Sequence, residues 1–310
     1  MLYPIINTVL YAFIQNYSYE TNGGNFALGQ FFIALNNGNV YTFGFDNFAN
    51  VLQEESFVRS IGNTAILTIV EVPLTIIVSL LIATFLNNIK VLKGFYQTIF
   101  FLPYVTNTIA LGLIFNLTFA NSPGGLMNIV LMKVFGYDQP INWLNIFGYN
   151  RAPAATRFHQ GVVIVLYSLW NGIAFKILVF MSGLATIDKQ YSDAAKIDGA
   201  SNFTIWRRIT LPLLSPQILY ITVTSFIGSF KMYTGVMAVY QKEISGMEHF
   251  FGGPDGDDWI TVVGWIYRNV QSSDTINSPG DASAASLILL GIIMVITAVQ
   301  FLVSKKRVHY

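Results

Sequence analysis

The sequence predicts an all-α protein, a polytopic transmembrane helical bundle of about six spans. Of its 310 residues, 53% are hydrophobic and only 11% are charged, whereas about 25% of the residues of a soluble domain are charged. The mean hydropathy is +0.53. Several apolar segments are long enough to cross a hydrocarbon core about 30 Å thick, which takes roughly 20 helical residues. Because the helices of such a protein pack into one bundle, we treat residues 1–310 as a single membrane domain.

Five of the predicted spans are unambiguous, at residues 61–86, 96–119, 161–187, 214–240 and 284–303. The sixth is N-terminal, where MLYPIINTVLYAFI offers only about 14 apolar residues. It crosses the membrane only if the helix extends to Tyr19, which gives a span over residues 1–19. A signal peptide is the alternative, but the segment has neither a basic leader nor a small-x-small cleavage site. We therefore expect a first transmembrane helix here.

Lys and Arg predict the orientation of the bundle, because they are enriched in cytoplasmic loops close to the helix ends. With the C-terminus in the cytoplasm, the inside loops hold Lys90, Lys93, Lys189, Lys196, Arg207, Arg208, Lys305, Lys306 and Arg307. The much longer outside loops then hold only Arg59, Lys133, Arg151, Arg157, Lys242 and Arg268. This distribution predicts a cytoplasmic C-terminus and makes residues 188–212 the longest inside loop.

Several kinds of chemistry are absent from the sequence. It has no cysteine, and the three histidines, His159, His249 and His309, have no neighbours at ligand spacing. No GxxxxGK[ST] phosphate loop occurs, and the acidic PDGDDW at 254–259 lacks the later ligands of a calcium loop, so we expect it to be a solvated loop. A net charge of +1 offers no basic face to nucleic acid. We therefore expect no catalytic site, no metal site and no cofactor bound by this chain.

The inside loop 188–212, which we call the elbow, is predicted to form two short helices at an angle. Ser192 is expected to cap the first helix, with Asp193 in its first turn, and Gly199 to end it with a positive φ. Ser201 is expected to cap a second helix that stops at Pro212.

The composition of the elbow favours docking into another protein. Ala194, Ala195 and Ala200 keep it thin, so that its backbone can approach a partner closely. The alternative is an amphipathic helix on the inner leaflet. Because anionic lipid would repel Asp193 and Asp198, we favour docking.

The run YSDAAKIDGASNFTIWRRITLP resembles the EAA loop of binding-protein-dependent ABC importer permeases. That pattern is EAA, three residues, Gly, and then nine or so residues to an apolar-Leu-Pro. The matching residues are Asp193, Ala194, Ala195, Gly199, Ile209, Leu211 and Pro212. Asp193 stands where the family usually has Glu, which keeps the charge and shortens the reach.

Further motifs extend the resemblance over most of the chain. They are FDNFANVL near 45, NTAILTIV at the second span, FFLPYVTNTIA at 100, WNGIAFKI at 170, IDGAS at 197 and GGP at 252. They occur in the order seen in carbohydrate-type permeases, the group that includes maltose and glycerol-phosphate importers.

The resemblance implies the type I permease fold of an ABC importer in the bacterial inner membrane. It also implies four kinds of partner: a second, homologous permease that forms a heterodimer with this chain, two ATP-binding subunits that carry ATP and Mg, an extracytoplasmic solute-binding protein, and a sugar substrate. The elbow would then be the coupling helix that enters a cleft of an ATPase. The residues expected to make this contact are Asp193, Ala194, Ala195, Asp198, Gly199 and Ala200.

Polar and aromatic side chains within the spans predict the substrate pathway, since sugar hydroxyls need hydrogen bonds and a ring face needs an aromatic plate. By resemblance to maltose-type relatives, the lining positions are Tyr104, Thr108, Asn171, Gly172, Phe175, Ser225, Gly228, Ser229 and Met232. Ordinary helix packing is the alternative for each of them. Among the charged residues of the spans, we expect Glu71 to have a packed interior partner and Lys176 and Lys231 to snorkel to the membrane boundary.

Three rival functions stay open at this stage. One keeps the importer and changes the cargo to glycerol phosphate or another non-sugar solute, which a basic cluster in the pore would favour. Another is an ion-coupled sugar carrier that uses Glu71 as its coupling group. The last is a membrane-anchored adaptor, which would tolerate bulky residues at Ser229 and Asn171.

Overall fold

The computed structural model describes residues 2–15, 43–89, 91–144, 154–240, 259–271 and 278–304. Several sequence features lie outside the described residues: positions 16–19 of the predicted first span, the GGP motif with most of the acidic run, and the basic residues 305–307.

The described residues are almost entirely helical. The helices are α1 Leu2–Phe13, α2 Asp46–Gln53, α3 Glu55–Asn88, α4 Lys93–Val105, α5 Thr108–Thr118, α6 Leu126–Val134, α7 Ala154–Thr186, α8 Lys189–Ile197, α9 Asn202–Leu213, α10 Ser215–Phe230, α11 Thr234–Tyr240, α12 Val262–Gln271 and α13 Ser278–Ser304. An isolated bridge between Ile14 and Phe43 is the one β contact in this part of the chain. The prediction of an all-α fold is confirmed.

Helices α3 and α7 form the centre of the fold. They have 34 and 33 residues, so each is about 50 Å long at 1.5 Å per residue. They pack against each other, and α10 packs against both. Gly183 allows a close approach of α7 to the start of α10, because a Cβ at this position would lie 2.8 Å from a methyl group of Leu214.

One face of α3 is buried and polar. Its polar buried positions recur at intervals of three or four residues: Ser60, Thr64, Thr68, Glu71, Thr75 and Ser79. This spacing places them on one side of the helix. Several of these hydroxyls donate to the preceding turn, as Thr64 does to the Ser60 carbonyl at 2.8 Å. Large apolar side chains such as Ile69 and Leu81 are exposed instead, as expected for a face that contacts lipid.

The number of helices suited to crossing a membrane can be compared with the six predicted spans. α3, α7 and α13 are each long and apolar enough on their own. Two bent pairs, α4 with α5 and α9 with α10, pass the same test together and raise the number in the described residues to five. α1 has 12 residues, about 18 Å of helix. The described part of the predicted first span is therefore shorter than a full crossing.

The predicted span 96–119 is not one continuous helix. α4 and α5 meet at an angle of 96°. The break occurs because Asn107 caps α5, with its Oδ1 atom accepting from the backbone N–H groups of Ile109 at 2.8 Å and Ala110 at 3.4 Å. A side chain that caps a helix start interrupts the helix that precedes it.

The predicted span 214–240 is also divided. α10 ends at Phe230 and α11 begins at Thr234. The last turn of α10 tightens, because the Lys231 N–H donates to the Gly228 carbonyl at 3.1 Å, three residues back. α11 then packs against α5, where Gly112 lies directly against the Ala238 backbone.

Candidate functional site

Two helix breaks meet at one cavity. The break between α4 and α5 contributes Thr106, and the break between α10 and α11 contributes Lys231, Met232 and Tyr233. Residues of α3 and α7 complete the wall, and the cavity volume is about 640 Å³, within the roughly 300–1,000 Å³ of ligand pockets. Irregular backbone at membrane depth is tolerated where it lines a cavity, and broken helices mark the binding sites of many transporters.

All nine residues predicted for the substrate pathway line this cavity. They come from α4, α5, α7, α10 and the break after α10, and are Tyr104, Thr108, Asn171, Gly172, Phe175, Ser225, Gly228, Ser229 and Met232. The structure thus brings together positions that are up to 128 residues apart in the chain. Their role in solute passage stays a prediction.

An aromatic pair forms part of the cavity wall. The rings of Tyr104 and Phe175 are stacked, with their centroids 6.0 Å apart and an interplanar angle of 22°. The two side chains are 55% and 39% exposed. A partly exposed stack of this kind offers an apolar plate to a ring-shaped ligand.

Hydroxyl groups form the polar part of the wall. Ser229 donates to Oε2 of Glu71 at 3.1 Å, and Thr68 lies 2.9 Å from the same hydroxyl. Since the single hydroxyl proton of Ser229 is directed to Glu71, Thr68 is the donor in the second bond. The Ser225 hydroxyl is buried without a hydrogen-bond partner among the described residues. A buried unpaired hydroxyl at a cavity wall is suited to bind a polar ligand.

The sequence did not place the charged groups in the site. Glu71, Lys176 and Lys231 all line the cavity, and the snorkelling of the two lysines to the membrane boundary stays a prediction. The Lys176 amine folds back over Gly172, where an added Cβ would lie 3.0 Å from Nζ. The i, i+4 spacing of Gly172 and Lys176 is a signal that could have revealed this arrangement, because a glycine one turn away leaves room for the amine.

The elbow takes the predicted shape at its bend. Gly199 has a φ of +77°, and its N–H donates to the Lys196 carbonyl at 3.0 Å while the Ala200 N–H donates to Ala195 at 2.9 Å. These two bonds form the glycine-dependent helix end called a Schellman motif. Ser201 then caps α9 by accepting from the Thr204 N–H at 3.3 Å.

The predicted start of the first elbow helix is wrong. Asp188 caps α8, with Oδ1 accepting from the Gln190 N–H at 2.9 Å. Ser192 lies inside the helix, where its hydroxyl donates to the Lys189 carbonyl at 2.9 Å. Asp193 is consequently in the middle of α8 and forms an ion pair with Lys196 at 3.8 Å. Both Asp188 and Ser192 are good capping residues, and the earlier cap gives the helix one more turn.

The second elbow helix does not stop at Pro212. It continues to Leu213 through a π-helical turn over Trp206–Thr210, in which the Leu211 N–H donates to the Trp206 carbonyl five residues back. Because Pro212 has no N–H, it cannot donate to Arg208, and the widened turn accommodates this loss without ending the helix.

The surface of the elbow is exposed and partly apolar. Of the predicted coupling residues, Asp193, Ala194, Asp198 and Gly199 are exposed, while Ala195 and Ala200 are half-buried. Two large apolar neighbours of these residues, Ile197 and Phe203, are 87% and 66% exposed. Apolar side chains so exposed beside charged ones are typical of a surface that binds another protein.

Trp206 connects the elbow to α3. Its indole N–H donates to the hydroxyl of Thr84 at 3.3 Å, and its ring packs against the buried cluster that contains Leu80 and Leu86. Thr84 and Glu71 are 13 residues apart on the same helix, about 20 Å along its axis. One continuous helix therefore runs from the elbow to the cavity.

Comparison with known proteins defines the class. Residues 75–309 match the family described as "Binding-protein-dependent transport system inner membrane component", and the chain belongs to this family. It is thus a multi-pass permease subunit of the inner membrane, as the sequence predicted.

The individual relatives are themselves permeases. The chain is 29% identical over 305 residues to the arabinooligosaccharides transport system permease protein AraP of Bacillus subtilis, covering 98% of this chain and 83% of that protein. It is 30% identical to the probable ABC transporter permease protein YesP of the same organism, covering 86% and 79%. It is 28% identical to the sn-glycerol-3-phosphate transport system permease protein UgpA of Rhizobium meliloti, covering 86% and 82%.

Solved structures share the fold. A bacterial ABC transporter that imports the acidic polysaccharide alginate superposes with a TM-score of 0.66 at 19% identity, covering 85% of this chain and 84% of the other. The same transporter type in complex with its pentasaccharide-bound periplasmic protein gives 0.65 at 20% identity, covering 83% and 81%. The expected permease fold is confirmed.

Proposed function

We propose that this chain is a permease subunit of an ABC importer that carries a sugar or oligosaccharide into a bacterial cell. The observation that carries the proposal is the cavity at the meeting of two helix breaks, which combines an aromatic plate with hydroxyl and amide groups. A pyranose ring has both an apolar face and a rim of hydroxyls, so this combination suits it. The names of the relatives AraP and UgpA support the importer class.

The proposal includes the partners of the chain. A second, homologous permease completes the pathway as a heterodimer, an extracytoplasmic binding protein delivers the solute, and two ATP-binding subunits hydrolyse ATP with Mg. This chain itself binds neither ATP nor Mg. The C-terminus and the elbow lie in the cytoplasm, where the ATPases act, which the distribution of Lys and Arg supports.

The elbow couples ATP hydrolysis to transport in this proposal. A ligand shifts a conformational equilibrium only by binding the two states differently. Closure of the ATPases on ATP moves the elbow, and Trp206 and helix α3 transmit this movement to the cavity. The exposed Ile197 and Phe203 support a protein contact at this surface.

Reconstitution tests the proposal. The chain is coexpressed with its neighbouring importer genes, purified, and placed in proteoliposomes that contain ATP. We expect uptake of a labelled oligosaccharide that requires every subunit and the binding protein, stops with a non-hydrolysable ATP analogue and is insensitive to an uncoupler. Uptake that needs no ATP and collapses with an uncoupler would instead support an ion-coupled carrier. Purification without an ATPase partner would contradict the proposal.

A further inference from the structure

The charges at the cavity do not balance. Among the residues that line the described cavity, two carry an ammonium group, Lys176 and Lys231, and one carries a carboxylate, Glu71. The cavity wall therefore has an excess of one positive charge. A charged side chain within a membrane costs at least about 3 kcal/mol on insertion scales. A neutral sugar binds to hydroxyl, amide and aromatic groups alone and gives no reason to keep this excess.

The carboxylate is held by the wall itself. Glu71 is only 9% exposed, and the Ser229 hydroxyl donates to its Oε2 atom at 3.1 Å. Ser229 is in turn fixed by Thr68 at 2.9 Å. Glu71 thus faces the cavity as a buried counter-charge and is not presented as a group that meets the solute.

Lys176 and Lys231 are more exposed to the cavity than Glu71 is. Lys176 is half-buried, and its Nζ lies over Gly172 within electrostatic range of Glu71. Lys231 is exposed and occupies the break after α10. No carboxylate other than Glu71 lines the part of the cavity that the structure describes. Within this subunit one ammonium group is therefore offset by the wall, and the other has no counter-charge among the residues that line the described cavity.

The aromatic plate and the lysines line the same cavity. Tyr104 and Phe175 form the stack, and Lys176 and Lys231 are among the other lining residues. A solute whose ring lies on this stack therefore occupies the cavity that holds the two ammonium groups. Cations near a ring-binding plate suit a ligand that has both a ring face and an anionic group.

We propose that the cargo is anionic, a solute that carries a carboxylate or phosphate group bound by Lys231 and Lys176 while its apolar part contacts the Tyr104–Phe175 stack. This inference rests on the proposed import function and names its substrate class. A uronate-containing oligosaccharide and a phosphorylated sugar or polyol present the same chemistry to the two lysines.

Uptake of three probes by the complete reconstituted importer tests the inference. Trigalacturonate carries carboxylates, glycerol 3-phosphate carries a phosphate, and maltotriose is neutral. We expect ATP-dependent uptake of one of the anionic probes, which identifies the anionic group, and poor uptake of maltotriose. The Lys231→Gln and Lys176→Gln variants should each lower kcat/KM for the anionic probe about tenfold, as expected for loss of a charge-assisted hydrogen bond.

Matched variants keep the test decisive. Lys231→Arg and Lys176→Arg retain the charge and should keep most of the uptake. Lys133→Gln removes an exposed lysine of α6, outside the cavity, and should leave uptake unchanged. Because Lys231 is exposed, its variants report on binding even where Lys176→Gln impairs assembly.

The possible outcomes separate the two proposals. ATP-dependent uptake of maltotriose alone would overturn the anionic cargo and leave the importer proposal intact. Anionic uptake that changes by less than about twofold in both Lys→Gln variants would also overturn it, because a charge-assisted contact is worth more than this. ATP-dependent uptake of none of the probes would count against the proposed import function itself.

Discussion

The cavity and the elbow differ in composition and are connected by one helix, whose middle lines the cavity and whose C-terminal part contacts the elbow. The cavity forms where two spans break, and its wall of hydroxyls, aromatic rings and three charges lies inside an apolar bundle. The elbow consists of two short capped helices whose charged side chains are exposed together with Ile197 and Phe203. α3 connects them through the bond between Trp206 and Thr84. In the proposed function the cavity selects the solute and the elbow couples transport to ATP hydrolysis, so variants of the two regions should fail in different ways.

The largest expected effect comes from the bend of the elbow. Gly199 has a φ of +77° and its N–H is bonded to the Lys196 carbonyl. Proline fixes φ near −65° and has no N–H, which costs about 3 kcal/mol or more. We therefore expect Gly199→Pro to lower ATP-coupled uptake on the order of a hundredfold, measured in proteoliposomes, while solute binding to the cavity persists.

Asparagine at the same position is the control. Because Asn tolerates the left-handed region, Gly199→Asn should retain most of the uptake. Normal coupling in Gly199→Pro would show that the bend does not matter, and it would remove the elbow from the coupling mechanism.

A bulky residue in the cavity should give the next largest effect. A Cβ at Gly228 would meet no atom within 4 Å, so Gly228→Phe can be accommodated by the fold while it occupies space intended for solute. We expect about a tenfold loss of uptake, roughly the cost of one strong lost contact, with basal ATP hydrolysis retained.

Gly291 provides a matched control for that variant. A Cβ there also meets no atom within 4 Å, but Gly291 lies on α13, away from the cavity. Gly291→Phe should transport normally. Equal uptake by the two variants would place the solute pathway elsewhere.

Loss of the hydrogen bond between the elbow and α3 should lower coupled transport by a smaller amount. Trp206→Phe keeps a ring that can stack on Phe203 and removes the 3.3 Å hydrogen bond to Thr84. A neutral bond of this kind contributes about 1 kcal/mol, so the number of solutes carried per ATP hydrolysed should fall about fivefold. Thr84→Val should have the same effect, and the double variant no more. Additive losses would mean that the two residues act independently.

The smallest effect is expected at Asp193. It is exposed and 3.8 Å from Lys196, and exposed ion pairs contribute no more than about 1 kcal/mol. Asp193→Glu keeps the carboxylate, so we expect coupled uptake within about twofold of the unmodified protein. Asp193→Arg reverses the charge and should impair coupling clearly. If Asp193→Glu impaired coupling more than Asp193→Arg, the ATPase would not present a basic group to Asp193.

Much of the elbow could be predicted because its structure is local. Gly199 and Ser201 act on neighbouring backbone groups, so their roles follow from their position in the sequence. Ser192 was misassigned for the same reason, since Asp188 can cap equally well and local rules do not decide between two caps. The π-helical turn before Pro212 was not predicted. A proline in the sequence shows that one backbone hydrogen bond is lost, but it does not show how the helix accommodates that loss.

Composition and spacing were sufficient to predict that this chain lies in a membrane, that it is all-helical, and which residues bend and cap its elbow. Insertion into lipid and helix capping depend on residues that are close in sequence, so both can be predicted from short segments. Tertiary structure alone decided that the two helix breaks lie beside each other. It also decided that Glu71, Lys176 and Lys231 line one cavity. These side chains come from α3, α7 and the end of α10, and their neighbours in the chain carry no information about their distance. Their convergence depends on how whole helices pack, and that packing is what turns three costly charges into a candidate binding site.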